Sequence, residues 1–202
     1  MPPDTHCSRR VCLLICALLL SSTCIAQEEA LRIHRDIVAL TDEAQIIVHG
    51  TIVSTQVEPH PQFKNLSTVL VTMSVSDSLK GAPQKSITFR QYLWDIRSIS
   101  ANGGYHKGEE LLLFLRTPST YGLTSPAGLQ QGRFEITRDA KGQLQAMNAE
   151  HNAGLFENLA SQARQRRTTL PLASQKLASQ KSGPVQLADL KQVVRAFAGA
   201  GK

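Results

Sequence analysis

Tyr92 and Trp94 stand two positions apart in "QYLWDI", and Trp94 is the only tryptophan in the chain. Residues i and i+2 of a strand share a face, so two rings at this spacing present a surface on which a planar ligand can stack. The same spacing also suits two rings that close one rim of a hydrophobic core. His106, set between Tyr105 and Lys107 in a glycine-flanked loop, is the histidine whose context is most exposed. Tyr92, Trp94 and His106 are therefore the candidate ligand-binding residues.

Other reactive types do not fall into recognisable frames. His34, His49, His60, His106 and His151 include no i, i+4 pair and no His-Glu-x-x-His stretch, so neither a metal nor another cofactor is expected. The serines lack a Gly-x-Ser-x-Gly elbow. Asp95 with Glu109 and Glu110 could be imagined as a carboxylate pair, but adjacent glutamates suit a solvated strand entry equally well. The final "GAGK" lacks the Ser/Thr and the following helix of a phosphate loop. Asn65-Leu66-Ser67 matches a glycosylation acceptor. No catalytic residue is expected.

The elements that must position these residues begin with an export signal. Arg9 and Arg10 precede an apolar run over 11–20, and small residues over 21–26 permit cleavage after Ala26. Residues 1–26 are expected to be a signal peptide, and the run is about half of what a membrane span needs. All four cysteines, at positions 7, 12, 16 and 24, would leave with it. The protein is expected to be exported, periplasmic or secreted, with no stable membrane insertion after cleavage.

The formal charge of +6 is unevenly spread. Residues 27–160 carry 12 Lys/Arg against 14 Asp/Glu, whereas 161–202 carry eight against one. A nucleic-acid partner is not expected, because such a site needs a basic face on the globular part.

The segment "EEALRIHRDIVALTDEA" places Ala30, Ile33, Ile37 and Leu40 at helical spacing, which predicts an N-terminal amphipathic helix with His34 on its face. "QIIVHGTIVSTQV" predicts a long strand that bends at Gly50. In "STVLVTMSVSDSLKG" Val69, Val71, Met73 and Val75 alternate with Thr and Ser. "KSITFRQYL" should return with Ile87 and Phe89 inward, and "LLLFL" reads as a strand buried on both faces. Phe134 and Ile136 alternate before a hairpin turning at Lys141-Gly142. Five or six short strands without a βαβ rhythm predict a mainly β fold, a small antiparallel OB-like barrel over 27–160. The pentapeptide repeat "LASQKLASQK" and its polar surroundings predict a flexible basic linker over 161–184. Leu187, Leu190, Val194 and Phe197 predict a C-terminal amphipathic helix within 185–202, with Lys191 and Arg195 on its other side.

"IIVHGTIVS", the "LKG" turn, "KGEELLLFL" and "GLQQGRFEI" together resemble a family of exported bacterial proteins with no established activity. The likeness covers roughly residues 36–160 and the terminal helix. More remotely, the order of strands is similar to the OB-type barrel of netrin-like modules and tissue inhibitors of metalloproteinases. Those inhibitors bind the protease zinc through an amino-terminal cysteine, whereas the expected mature start here is Gln27. Several glycine-marked strands without a reactive constellation predict a non-enzymatic binding or interaction module of unknown ligand, its partner an envelope or extracellular protein, with loops 58–66 and 97–109 at its working rim. The alternatives are a hydrolase whose acidic and histidine residues converge from distant positions, and a protease-inhibitor-like module.

Overall fold

The computed structural model describes residues 34–199. The expected signal peptide, its cysteines, and Ala30 and Ile33 of the predicted first helix lie outside the described residues.

Helix α1 spans Ile37–Glu43. It starts later than periodicity predicts because Asp36 caps it, its carboxylate accepting the backbone N–H groups of Val38 and Ala39 at 3.0 and 2.8 Å. His34 precedes this cap and is not helical. Strands β1 (Ile46–Pro59) and β2 (Ser67–Lys80) form a long antiparallel pair, and β3 (Ser86–Tyr92) continues from β2. A short helix α2 (Ile96–Ser100) leads to β4 (Glu110–Leu115), β5 (Arg133–Arg138) and β6 (Leu144–Asn148). Helices α3 (Leu159–Gln165) and α4 (Leu172–Gln175), strand β7 (Val185–Gln186) and helix α5 (Leu187–Gly199) complete the chain. Among the described residues no helix is long and apolar enough to cross a membrane.

The strands form one antiparallel sheet in the order β3-β2-β1-β4-β5-β6-β7. The fold is mainly β, as expected, but the sheet is open: β3 and β7 are its two ends, and the predicted closure into a barrel is not formed. The bend predicted at Gly50 is present as a register shift in the β1–β2 ladder between His49 and Gly50. A Cβ on Gly50 would stand 2.0 Å from the Ser74 carbonyl oxygen, so only glycine lets the two backbones approach this closely.

Each face of the sheet carries a buried apolar cluster. Leu111, Leu113 and Leu115 join Val48, Val69, Val71, Met73, Ile87 and Phe89 on one side. Leu112 and Phe114 join Ile47, Phe134 and the apolar faces of α1, α3 and α5 on the other. The buried-on-both-sides reading of "LLLFL" therefore holds, because alternate side chains of β4 feed two separate cores. Leu187, Leu190, Val194 and Phe197 of α5 all enter the second core, as their spacing requires.

One expectation for the C-terminal quarter differs from what is found. The stretch 161–184, expected as a flexible linker, carries helical turns and sends Ala163 and Leu177 into the same core as α5. Its few apolar residues suffice because they are spaced to reach one existing surface. Lys191 and Arg195, expected on the other side of the last helix from its apolar face, both pair with Asp77 of β2.

Candidate functional site

A cavity of about 670 Å³ opens at the end of β3, within the size range of small-molecule sites. Tyr92 and Trp94 line it together, their rings edge-on with centroids 4.9 Å apart. Trp94 is 77% exposed, so it rims the cavity rather than closing a core. Pairing of Thr68 with Tyr92 and the Leu93 N–H bond to the Ser67 carbonyl at 3.0 Å hold this strand end in place. His106 does not line the cavity; it is exposed, and its backbone N–H donates to Glu109.

The opposite wall comes from the segment after β4. Thr124 donates its N–H to the Arg90 carbonyl at 2.8 Å and Leu123 bridges Arg90, which lays this segment against β3. Arg116 lines the cavity from here with an exposed side chain that has no partner among the described residues. Gly132 ends the turn that follows. A Cβ there would stand 2.4 Å from the Ala127 carbonyl oxygen, and this close approach places Arg133 at the cavity wall.

Arg133 donates to Glu109 and to the Gly104 carbonyl, each at 2.6 Å, and its guanidinium lies over the Tyr105 ring at 5.1 Å. Its Nε is buried without a protein partner. Tyr105 donates its hydroxyl to Gln91 at 2.9 Å, and burial pushes its pKa above the ordinary phenol range. Glu43, at the end of α1, is held by Arg35 at 2.8 Å through one carboxylate oxygen, while the other is buried without a protein partner. Two buried polar atoms without protein partners thus belong to residues of the cavity wall, and each costs about 1–3 kcal/mol if left unsatisfied.

Of the expected rim loops, 97–109 contributes Ser98, Gly103 and Tyr105 to the cavity. Loop 58–66 does not line it. There His60 is buried, stacks on Phe63 at 5.1 Å and contacts the Tyr121 carbonyl at 2.9 Å.

A second polar cluster was not foreseen. His49 on β1 has Nε2 2.8 Å from Glu110 of β4, and Nδ1 3.1 Å from Ser76 of β2 and 3.0 Å from Lys191 of α5. Asp77 receives Lys191 at 3.0 Å and Arg195 at 2.6 Å. Burial and the Lys191 charge hold the His49 pKa below the ordinary imidazole value, against the opposing pull of Glu110 and Asp77. The carboxylates singled out in the sequence thus have separate tasks. Glu110 binds His49, Glu109 binds Arg133, and Asp95 caps α2 through the Ser98 N–H at 2.7 Å. Among the described residues no group of three His, Cys, Asp or Glu side chains is placed to hold a metal ion.

No family model, no curated protein and no solved structure matches this chain.

Arg116, Arg133, Glu43 and the His49 cluster were missed in the sequence because each belongs to a constellation assembled across several strands. The cavity lining runs from Glu43 to Arg133, and no local spacing announces it.

Proposed function

We propose that this protein is an exported, non-enzymatic binding module whose ligand enters the cavity at Tyr92 and Trp94. One observation carries the reading: exposed Trp94, half-buried Tyr92 and an unpartnered arginine line a single cavity of small-molecule size. Exposed tryptophan and unpaired guanidinium groups both gain from a partner, so their convergence favours recognition over packing. The partner belongs to the envelope or the extracellular space if the N-terminal signal is used.

The test uses the purified protein, dialysed against a small-molecule extract of the envelope and then analysed by mass spectrometry. A compound retained by the wild type and lost by Trp94→Ala supports the reading. If every retained compound survives that substitution, the cavity is not the binding site. Export is tested separately by amino-terminal sequencing of the protein recovered outside the cytoplasm, with Gln27 expected as the first residue.

The hydrolase alternative is raised again by Ser76, His49 and Glu110, which lie in one hydrogen-bonded row. Yet Lys191 also occupies His49 Nδ1, and neither His49 nor Ser76 lines the cavity at Tyr92 and Trp94. The row joins β1, β2, β4 and α5, which suits a clasp on the last helix. A fluorophosphonate probe should leave Ser76 unmodified. Stoichiometric labelling at Ser76 would favour the hydrolase.

A further inference from the structure

We infer that the cavity at Tyr92 and Trp94 takes an organic anion, its charged group on Arg116 and its planar or apolar body against the two rings. The inference rests on the binding-module reading and adds the chemical class of the ligand.

The charge balance of the wall leads to this class. Three ionised side chains line the cavity, Glu43, Arg116 and Arg133. Glu43 is neutralised by Arg35 at 2.8 Å, and Arg133 by Glu109 at 2.6 Å. Arg116 remains, a guanidinium with no carboxylate among the described residues. A planar guanidinium binds carboxylate, sulfonate or phosphate oxygens through paired N–H donors. The cavity therefore carries one uncompensated positive charge beside an aromatic and aliphatic surface.

The remaining features of the wall agree with an amphipathic anion. Leu129, which is exposed, lines the cavity along with Tyr92 and Trp94 and supplies apolar area for the ligand body. A cationic ligand would meet Arg116 without compensation.

Trp94, as the only tryptophan, reports on the cavity directly by its fluorescence. The test compares two dyes of similar shape, anilinonaphthalene sulfonate and the uncharged N-phenylnaphthylamine, each titrated against the full protein while Trp94 quenching is followed. The anionic dye should bind about tenfold tighter than the neutral one, the scale of one charge-assisted contact. Arg116→Gln should remove that advantage and leave the neutral dye unchanged, and Arg116→Lys should restore part of it. The Arg116 side chain is exposed and unpartnered, so these variants should retain the wild-type melting temperature. Equal affinities for the two dyes, indifferent to Arg116→Gln, would overturn the anion class while leaving the cavity as a binding site. Failure of both dyes to quench Trp94 would overturn the site itself.

Discussion

Lys191 donates its ammonium to Nδ1 of His49 across 3.0 Å, joining residues 142 positions apart. Because an ammonium only donates, Nδ1 must accept, which places the imidazole proton on Nε2, where it donates to Glu110. The last helix is thereby tied to the centre of the sheet through a neutral histidine that is 5% exposed.

The clasp should make the fold sensitive to acid. Burial and Lys191 hold the His49 pKa below its value in the unfolded chain. The unfolded chain therefore takes up a proton first as pH falls below about 6.5, and stability declines until the lowered folded value is passed. Asp77 adds a second, more acidic loss. Burial is the largest single influence and raises its pKa, but the bonds from Lys191 and Arg195 together prevail and leave it lowered. Its contribution is present above the ordinary carboxylate value, about 3.9, and disappears as pH falls through the lowered one. Urea midpoints at pH 7.5 and 5.5 should show a larger loss for the wild type than for His49→Gln. Equal losses would mean that His49 is not the sensitive group.

Asp77→Ala should destabilise the protein by about 2 kcal/mol, because it removes hydrogen-bonded partners from two cations and leaves Lys191 beside His49 without a counter-charge. Chemical denaturation followed by far-ultraviolet circular dichroism checks this. Arg195→Gln, at a half-exposed position, should cost less than about 1 kcal/mol.

Gly50→Ala should cost several times the usual glycine-to-alanine change in a strand, since the new methyl carbon would meet the Ser74 carbonyl at 2.0 Å. A loss of about 3 kcal/mol or more in the unfolding free energy is expected, on the scale of overpacked sites. A melting temperature within a degree of the wild type would show that the β1–β2 ladder relaxes freely at its bulge.

Val71→Asp should unfold the protein, while Thr72→Asp should be tolerated. Val71 is fully buried, and an unpaired carboxylate there costs several kcal/mol. Thr72 lies on the other face, where its hydroxyl meets only that of Thr88 at 3.1 Å. Similar denaturation midpoints for the two variants would contradict the burial of this strand face.

Leu177→Ala separates a tether from a packed segment. On a tether the substitution would be neutral. Here Leu177 is 3% exposed within the core shared with α5, so a loss of about 2–4 kcal/mol is expected, with earlier tryptic cutting between Arg164 and Lys181 than in the wild type. An unchanged midpoint would restore the linker reading of 161–184.

Strands β1 to β6, the bend at Gly50, the double burial of "LLLFL" and the apolar face of α5 were legible in the sequence, because each is written in spacing that repeats within a few residues. Tyr92 and Trp94 were legible as a pair from their two-residue spacing, although β3 ends at Tyr92 and Trp94 stands just beyond it. Tertiary structure alone decided that the sheet stays open, since closure depends on where the end strands β3 and β7 come to lie. It also decided that Leu177 and Ala163 are core residues in a polar stretch, because one leucine is enough when a finished surface is waiting for it. The cavity and the clasp were hidden most completely. Arg116 meets the Tyr92–Trp94 pair through a crossing segment, and Lys191 meets His49 through helix docking. Charges and hydrogen bonds act through distance in space, and a linear chain records only distance along itself.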